Sequence, residues 1–271
     1  MILNAKNKQV TIGNTKMDYV SFGKGTDVLV IIPGLVDGIR TVKGMAFTIA
    51  VMYRQLAKHF RVYVFSRKRN LPNNYSIEAM ADDLKTAFDL LDIKTAHVLG
   101  VSQGGMIAQW LTIKYPDRVN KLILSVTMAR QNETVNQVVN HWISIAKAND
   151  FRGLLMDTAA KTYSPKLLKT YRLVYAVATK LIKPKDFSRF IIQANACLAH
   201  DAYDRLKEIT CPTLVIGGAK DEIVGRDAAN EVSSRIKGSK LLIYEQYGHG
   251  AYEEAKDFQQ VIISFLNDES I

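Results

Sequence analysis

The chain has 271 residues, 48% of them hydrophobic, a formal net charge of +10 and two cysteines. That length suits one large α/β unit with an insertion, and the apolar content is enough for a sizeable core. Two cysteines, Cys197 and Cys211, exclude a disulfide framework and lack metal-ligand spacing, and the basic balance comes without any recognised nucleic-acid-binding motif.

Val10–Ile12 and Met17–Phe22 flank Gly13-Asn14 and predict an antiparallel hairpin. Val28–Ile32 is a continuous apolar run, as expected of a strand covered on both faces. Ala46–His59 predicts one helix, Val62–Phe65 a strand and Ile77–Leu91 a second helix. The strand Ala96–Gly100 runs directly into a helix whose apolar stripe is Met106, Ile107, Trp110 and Leu111, and the strand Leu122–Ser125 follows. Between Met128 and Leu206 the alternation stops in favour of helix-like periodicity, and from Leu214 to Leu266 strand and helix alternate again. Such alternation implies a mostly parallel sheet with helices on both faces. Residues 1–127 and 207–271 are therefore expected to form the α/β core, and 128–206 a helical insertion lying as a cap over the carboxyl ends of the strands.

The junction at residue 100 reads Gly100-Val101-Ser102-Gln103-Gly104. A strand that turns into a helix within one residue forces that residue into a strained conformation and lifts its side chain clear of the sheet. Gly100 and Gly104 stand two residues to either side, where a Cβ would collide in so tight a bend. A serine hydroxyl is a poor nucleophile near neutral pH and needs a base and a group to orient that base. Asp221 follows the strand-like Leu214–Gly218, and His249 lies in the loop Tyr247–Ala251 after the strand-like Leu241–Tyr244. All three candidates thus sit just past a strand's carboxyl end, where ligand sites gather in open parallel sheets. Asp221 is favoured over Glu222 and over Asp227, which reads as a helix start. His249 is favoured over His59, placed at a helix end, and His97, at the start of a strand. His141 and His200, in the helical middle, remain alternatives.

Together with Pro33-Gly34-Leu35 after the third strand, Tyr115-Pro116-Asp117-Arg118-Val119, Cys211-Pro212-Thr213 and Gly248-His249, these residues give a pattern that resembles the α/β-hydrolase superfamily over nearly the whole length. Within it the chain is similar to small cytoplasmic esterase- and lactonase-like serine hydrolases with a helical cap. The resemblance implies an eight-stranded, mostly parallel sheet, a triad of Ser102, His249 and Asp221, and an oxyanion hole made by the backbone N–H groups of Leu35 and Gln103. Many relatives carry His-Gly where this chain has Pro33-Gly34, a departure that bears on the geometry of the loop more than on the chemistry.

The expected function is cofactor-independent cleavage of a carboxylic ester or related acyl bond through an acyl-enzyme, with a small-molecule acyl substrate. Lactone, thioester, C–C and peroxy-acid chemistry on the same triad stay open, because one fold hosts many reactions. A non-catalytic small-molecule binding protein on this fold is the alternative of another class. A further one is a basic interaction protein, since Lys161, Lys166, Lys169, Arg172, Lys180, Lys183, Lys185 and Arg189 face only Asp186 within that stretch. Arg67-Lys68-Arg69 is read as a basic run near the pocket mouth that could meet a carboxylate or phosphate. No dinucleotide fingerprint, phosphate loop or His-Glu-x-x-His motif is present, so no cofactor or metal is expected. Met1–Val10 lacks the pattern of a secretory signal and no apolar run is long enough to span a bilayer, so a cytoplasmic protein is expected. The oligomeric state is left open.

Overall fold

A computed structural model of the chain describes residues 4–169, 184 and 186–270. The hairpin forms from β1 (Lys6–Ile12) and β2 (Thr15–Phe22), turning at Gly13, whose φ of 58° favours glycine. β2 pairs antiparallel with β4 (Arg61–Lys68). From β4 onward every pairing is parallel, through β3 (Val28–Ile32), β5 (Ala96–Val101), β6 (Val119–Ser125), β7 (Thr213–Gly218) and β8 (Lys240–Tyr244). The result is an eight-stranded sheet in the order β1-β2-β4-β3-β5-β6-β7-β8. Apolar residues alternate between its faces. Val30 and Ile32 of β3 join the core shared with the helices Ile77–Leu90 and Gln103–Lys114, while Leu29 and Ile31 join the core on the opposite side.

The chain passes from β3 to β4 on one side and returns to β5 on the other, so β3 and β5 are neighbours at a topological switch point. Their ends are in register, Ile32 opposite Gly100. Loops leaving two such strands diverge and open a crevice between them. Residues 33–38 after β3 and residue 102 after β5 are the chain segments that flank this crevice.

The helix expected over 46–59 is two helices, α1 (Ala46–Met52) and α2 (Leu56–His59). A side chain from the far end of the chain splices the break. Gln259 Oε1 accepts from the N–H of Gln55 at 3.2 Å, and Gln259 Nε2 donates to the carbonyl of Met52 at 2.9 Å. Backbone groups freed by the interruption are thereby satisfied, a long-range event with no local sequence signal. Gln259→Ala should cost about 1–2 kcal/mol of stability. Urea unfolding would show this as a lower midpoint with an unchanged slope.

The remaining helices of the first half are α3 (Ile77–Leu90), capped by Ser76, and α4 (Gln103–Lys114). Between β6 and β7 the chain leaves the sheet. Here α5 (Glu133–Lys147) is capped by Asn132, α6 (Phe151–Thr162) by Asp150, and α7 spans Ser188–Leu198. Helices α8 (Ala228–Arg235), α9 (Ala251–Glu254) and α10 (Phe258–Leu266) complete the core. Of the basic stretch, Arg172, Lys180, Lys183 and Lys185 lie outside the described residues. Lys161 pairs with Asp157 at 2.6 Å, and Arg189 pairs with the buried Asp37 at 2.6 Å. Among the described residues no helix is long and apolar enough to cross a membrane.

Candidate active site

One residue separates β5 from α4, and it is Ser102, with φ 54° and ψ −120°. A non-glycine residue held there costs roughly 1–3 kcal/mol, so the surroundings must impose it. They do so through hydrogen bonds at both ends of the residue. Ser102 N–H donates to Ser125 O at 2.9 Å, and Ser102 O accepts from Thr127 Oγ1 at 2.8 Å and from Gly105 N–H at 2.8 Å. Val126, between those two partners, also has a positive φ of 45°, which brings Thr127 under the serine carbonyl. The flanking glycines are required by proximity. A Cβ on Gly104 would lie 1.9 Å from Ile32 O, and one on Gly100 would lie 2.5 Å from Gly104 O.

His249 Nε2 lies 3.0 Å from Ser102 Oγ, and His249 Nδ1 lies 2.8 Å from Asp221 Oδ2. The other oxygen, Asp221 Oδ1, accepts from the N–H groups of Ile223 at 2.8 Å and Val224 at 3.0 Å. Both Asp221 and His249 are buried. The loops that carry them are packed backbone to backbone. Lys220 N–H donates to Tyr247 O at 3.0 Å, and a Cβ on Gly218 would fall 2.3 Å from Gly248 O. Residues 119 and 147 positions apart from the serine are thus brought to it by the ends of adjacent parallel strands.

The competing candidates stand elsewhere. Glu222 is exposed and Asp227 occupies the cap position of α8. His59 ends α2, His97 packs edge-on against Phe60, and His141 is more than half exposed. His200 is buried against Gln109, and burial draws its pKa down to about 4, so it stays neutral.

The loop after β3 closes on the serine. A Cβ on Gly34 would lie 3.2 Å from Ser102 Cβ. Leu35 opens a 3₁₀ turn over Leu35–Gly38, and Gln103 is the first residue of α4. The backbone N–H groups of Leu35 and Gln103 donate to no protein acceptor among the described residues. Both donors lie on segments beside Ser102.

A family model described as the alpha/beta hydrolase fold matches residues 27–256. The chain belongs to the α/β-hydrolase family. A hydrolase of Escherichia coli (strain K12), named 2-hydroxy-6-oxononadienedioate/2-hydroxy-6-oxononatrienedioate hydrolase, is 31% identical over 195 residues. That match covers 68% of this chain and 66% of the relative, slightly under two thirds of the latter's length. Among solved structures, an enol-lactonase from Burkholderia xenovorans LB400 has a TM-score of 0.81 at 21% identity, covering 96% of this chain and 100% of that one. An esterase from Exiguobacterium antarcticum has a TM-score of 0.76 at 22% identity, covering 93% and 96%. At those identities the structures share the fold.

Two hollows adjoin in this α/β-hydrolase, and one of them holds the serine. The first, about 640 Å³ counting space open to solvent, reaches from Ser102 and His249 to Val135, Val139 and Trp142 of α5 and Cys197 of α7. Burial pushes the Cys197 thiol up to about 12, so it remains neutral and does not rival the serine. The second, about 1230 Å³ on the same measure, shares Gly34, Val36 and Tyr252 with the first and runs on between Val42, Ile49 and Leu155. The basic run expected at the pocket mouth does not line the hollow that holds Ser102. β4 extends through it to Lys68, burying Arg67, while Lys68 pairs with Asp83 at 2.9 Å and Arg69 with Asp18 at 2.7 Å.

Proposed function

We propose that this hydrolase cleaves neutral carboxylic esters through an acyl-enzyme. Ser102 Oγ attacks the ester carbonyl while its proton passes to His249 Nε2, and Asp221 holds the imidazole in the tautomer that can accept it. The Leu35 and Gln103 N–H groups receive the negative charge on the carbonyl oxygen. The protonated His249 then gives its proton to the departing alkoxide, leaving the acyl group on Ser102. Water, deprotonated by the same imidazole, attacks that acyl group and releases the acid. The observation that carries this reading is the continuous contact from Ser102 Oγ through His249 to a carboxylate whose second oxygen is already held by two backbone donors.

The walls favour an apolar acyl group without a carboxylate of its own. Among the described residues no lysine or arginine lines the hollow that holds Ser102, and Arg67 and Arg189 are committed to internal partners. A dioate, as in the name of the Escherichia coli relative, would bring two negative charges with no cation among the described lining residues to meet them. The helical insertion works as a cap, since α5, α6 and α7 all supply walls around the serine.

A fluorophosphonate probe tests the nucleophile. Wild-type protein should form one adduct, on the peptide containing Ser102, and Ser102→Ala should form none. Equal labelling of both, or of neither, would overturn the assignment. A panel of p-nitrophenyl esters of rising chain length beside simple lactones and a dioic half-ester then reads the substrate class. Neutral esters are expected to give the highest kcat/KM, while saturable binding without turnover of any of them would mark a binding protein instead.

A further inference from the structure

The superfamily pattern often places a histidine ahead of the glycine in the loop after the third strand, whereas Pro33 stands there in this chain and offers neither an N–H nor a polar side chain. Something else must hold the loop, and we infer that Arg67 is the positioning residue of the oxyanion site, fixing both of its arms through a single nitrogen. This rests on the proposed acyl-enzyme reading of Ser102.

Arg67 Nη2 donates to Pro33 O at 2.7 Å and to Gln103 Oε1 at 2.8 Å. Pro33 lies two residues before Leu35, whose N–H is one arm. Gln103 carries the other arm on its own backbone. One rigid, planar guanidinium therefore sets the spacing between two segments that come from different strands. The grip extends beyond these two bonds. The backbone N–H of Arg67 donates to Asp37 Oδ2 at 3.2 Å, so the 3₁₀ turn that begins at Leu35 is held near both of its ends by the same residue. The Gln103 amide cannot turn away, because Nε2 donates to Gln193 O at 2.9 Å and to Cys197 Sγ at 3.2 Å. Arg189 Nη2 donates to Asp37 Oδ2 at 2.6 Å, and Gln193 Nε2 to the same oxygen at 3.3 Å, which ties α7 of the cap to the same network.

Stability alone does not account for a cation here. Arg67 is 3% exposed, and its Nε and Nη1 have no partner among the described residues. Burial draws its pKa down, opposed by the Asp37 carboxylate. A buried guanidinium with two of its nitrogens unpaired is costly, and apolar residues of similar volume often serve a fold as well or better. What the guanidinium supplies is geometry at Pro33 and Gln103. It touches no reacting atom, so its effect must come through the two backbone donors.

The test is steady-state kinetics normalised to fluorophosphonate-titrated active sites, on Arg67→Met, Gln103→Leu and the double variant. Arg67→Met should lower kcat by about 100-fold, comparable to losing one oxyanion donor, with KM changed only a few-fold. Gln103→Leu keeps the backbone N–H and cuts only the side-chain link, and should lower kcat in the same direction by about tenfold. The double variant should be little worse than Arg67→Met, because both act through one contact. Affinity for a trifluoromethyl ketone analogue of the best ester should fall in step with kcat/KM. A merely structural role would lower the melting temperature or the titre of active sites and leave kcat per site unchanged, and that result in both single variants would overturn the proposal. Should Arg67→Met not fold, Gln103→Leu with wild-type kcat per site overturns it alone. Failure of the nucleophile reading is separate, since Ser102→Ala would then retain activity.

Discussion

Asp221→Asn should lower kcat by about 10⁴-fold while leaving the fold intact. The substitution preserves shape, and the surroundings decide which way the new amide points. Two backbone N–H groups, from Ile223 and Val224, face Asp221 Oδ1, so the asparagine must keep its oxygen there and turn its NH₂ towards His249 Nδ1. An NH₂ can only donate. The imidazole must then present a lone pair at Nδ1 and carry its proton on Nε2, which points that proton at Ser102 Oγ across 3.0 Å. A base already protonated at the working nitrogen cannot take the serine proton. The expected signature is a large fall in kcat with unchanged circular dichroism and an Nδ1 signal of unprotonated type in ¹⁵N NMR. A loss of only a few-fold would remove Asp221 from the orienting role, and neither Glu222, which is exposed, nor Asp227, at the start of α8, is placed to replace it.

What the sequence revealed about this site follows from how local each signal is. Ser102 was legible because the glycines at 100 and 104 and the apolar runs on both sides belong to one short stretch whose spacing encodes the bend. Asp221 and His249 were legible as ends of strands, since each follows an apolar run and a glycine. The structure adds what no local pattern holds, namely that the loops of β7 and β8 pack on each other and deliver both groups to the serine. The break between α1 and α2 escaped notice for the same reason, because its cause is Gln259, more than 200 positions away. Arg67 was legible as lying near the pocket, but not as buried: β4 continues through it, and its partners Pro33, Asp37 and Gln103 come from segments after two other strands, so it meets internal acceptors and not a ligand. A charged residue in a segment that extends an apolar strand was the one available hint.

Gly104→Ala should be the most destabilising single methyl in the molecule's active region, costing about 4 kcal/mol or more. Gly104 needs no special φ, and its burden is space. The added Cβ would sit 1.9 Å from Ile32 O and 2.8 Å from Pro33 O, both main-chain atoms that no rotamer change can move. Relief would require α4 to retreat from the end of β3. β3 is hydrogen-bonded on both sides, to β4 and β5, and α4 is buried along its length from Gln103 to Ile113. Overpacking of side chain on side chain typically costs 1–3 kcal/mol because the core repacks, and here nothing is free to do so. Thermal unfolding should show a fall in melting temperature on the order of 10 °C for a chain of this size. Gly13→Ala is the contrast, since its Cβ meets nothing within 4 Å and only the positive φ is strained; it should cost about 1 kcal/mol. If the two variants melt alike, the close approach of α4 to β3 is wrong, and with it the short span between the Leu35 and Gln103 donors. Any Gly104→Ala protein that does fold should also have lost most of its kcat, because the retreat of α4 would carry the Gln103 N–H away from the Leu35 N–H, the two proposed oxyanion donors.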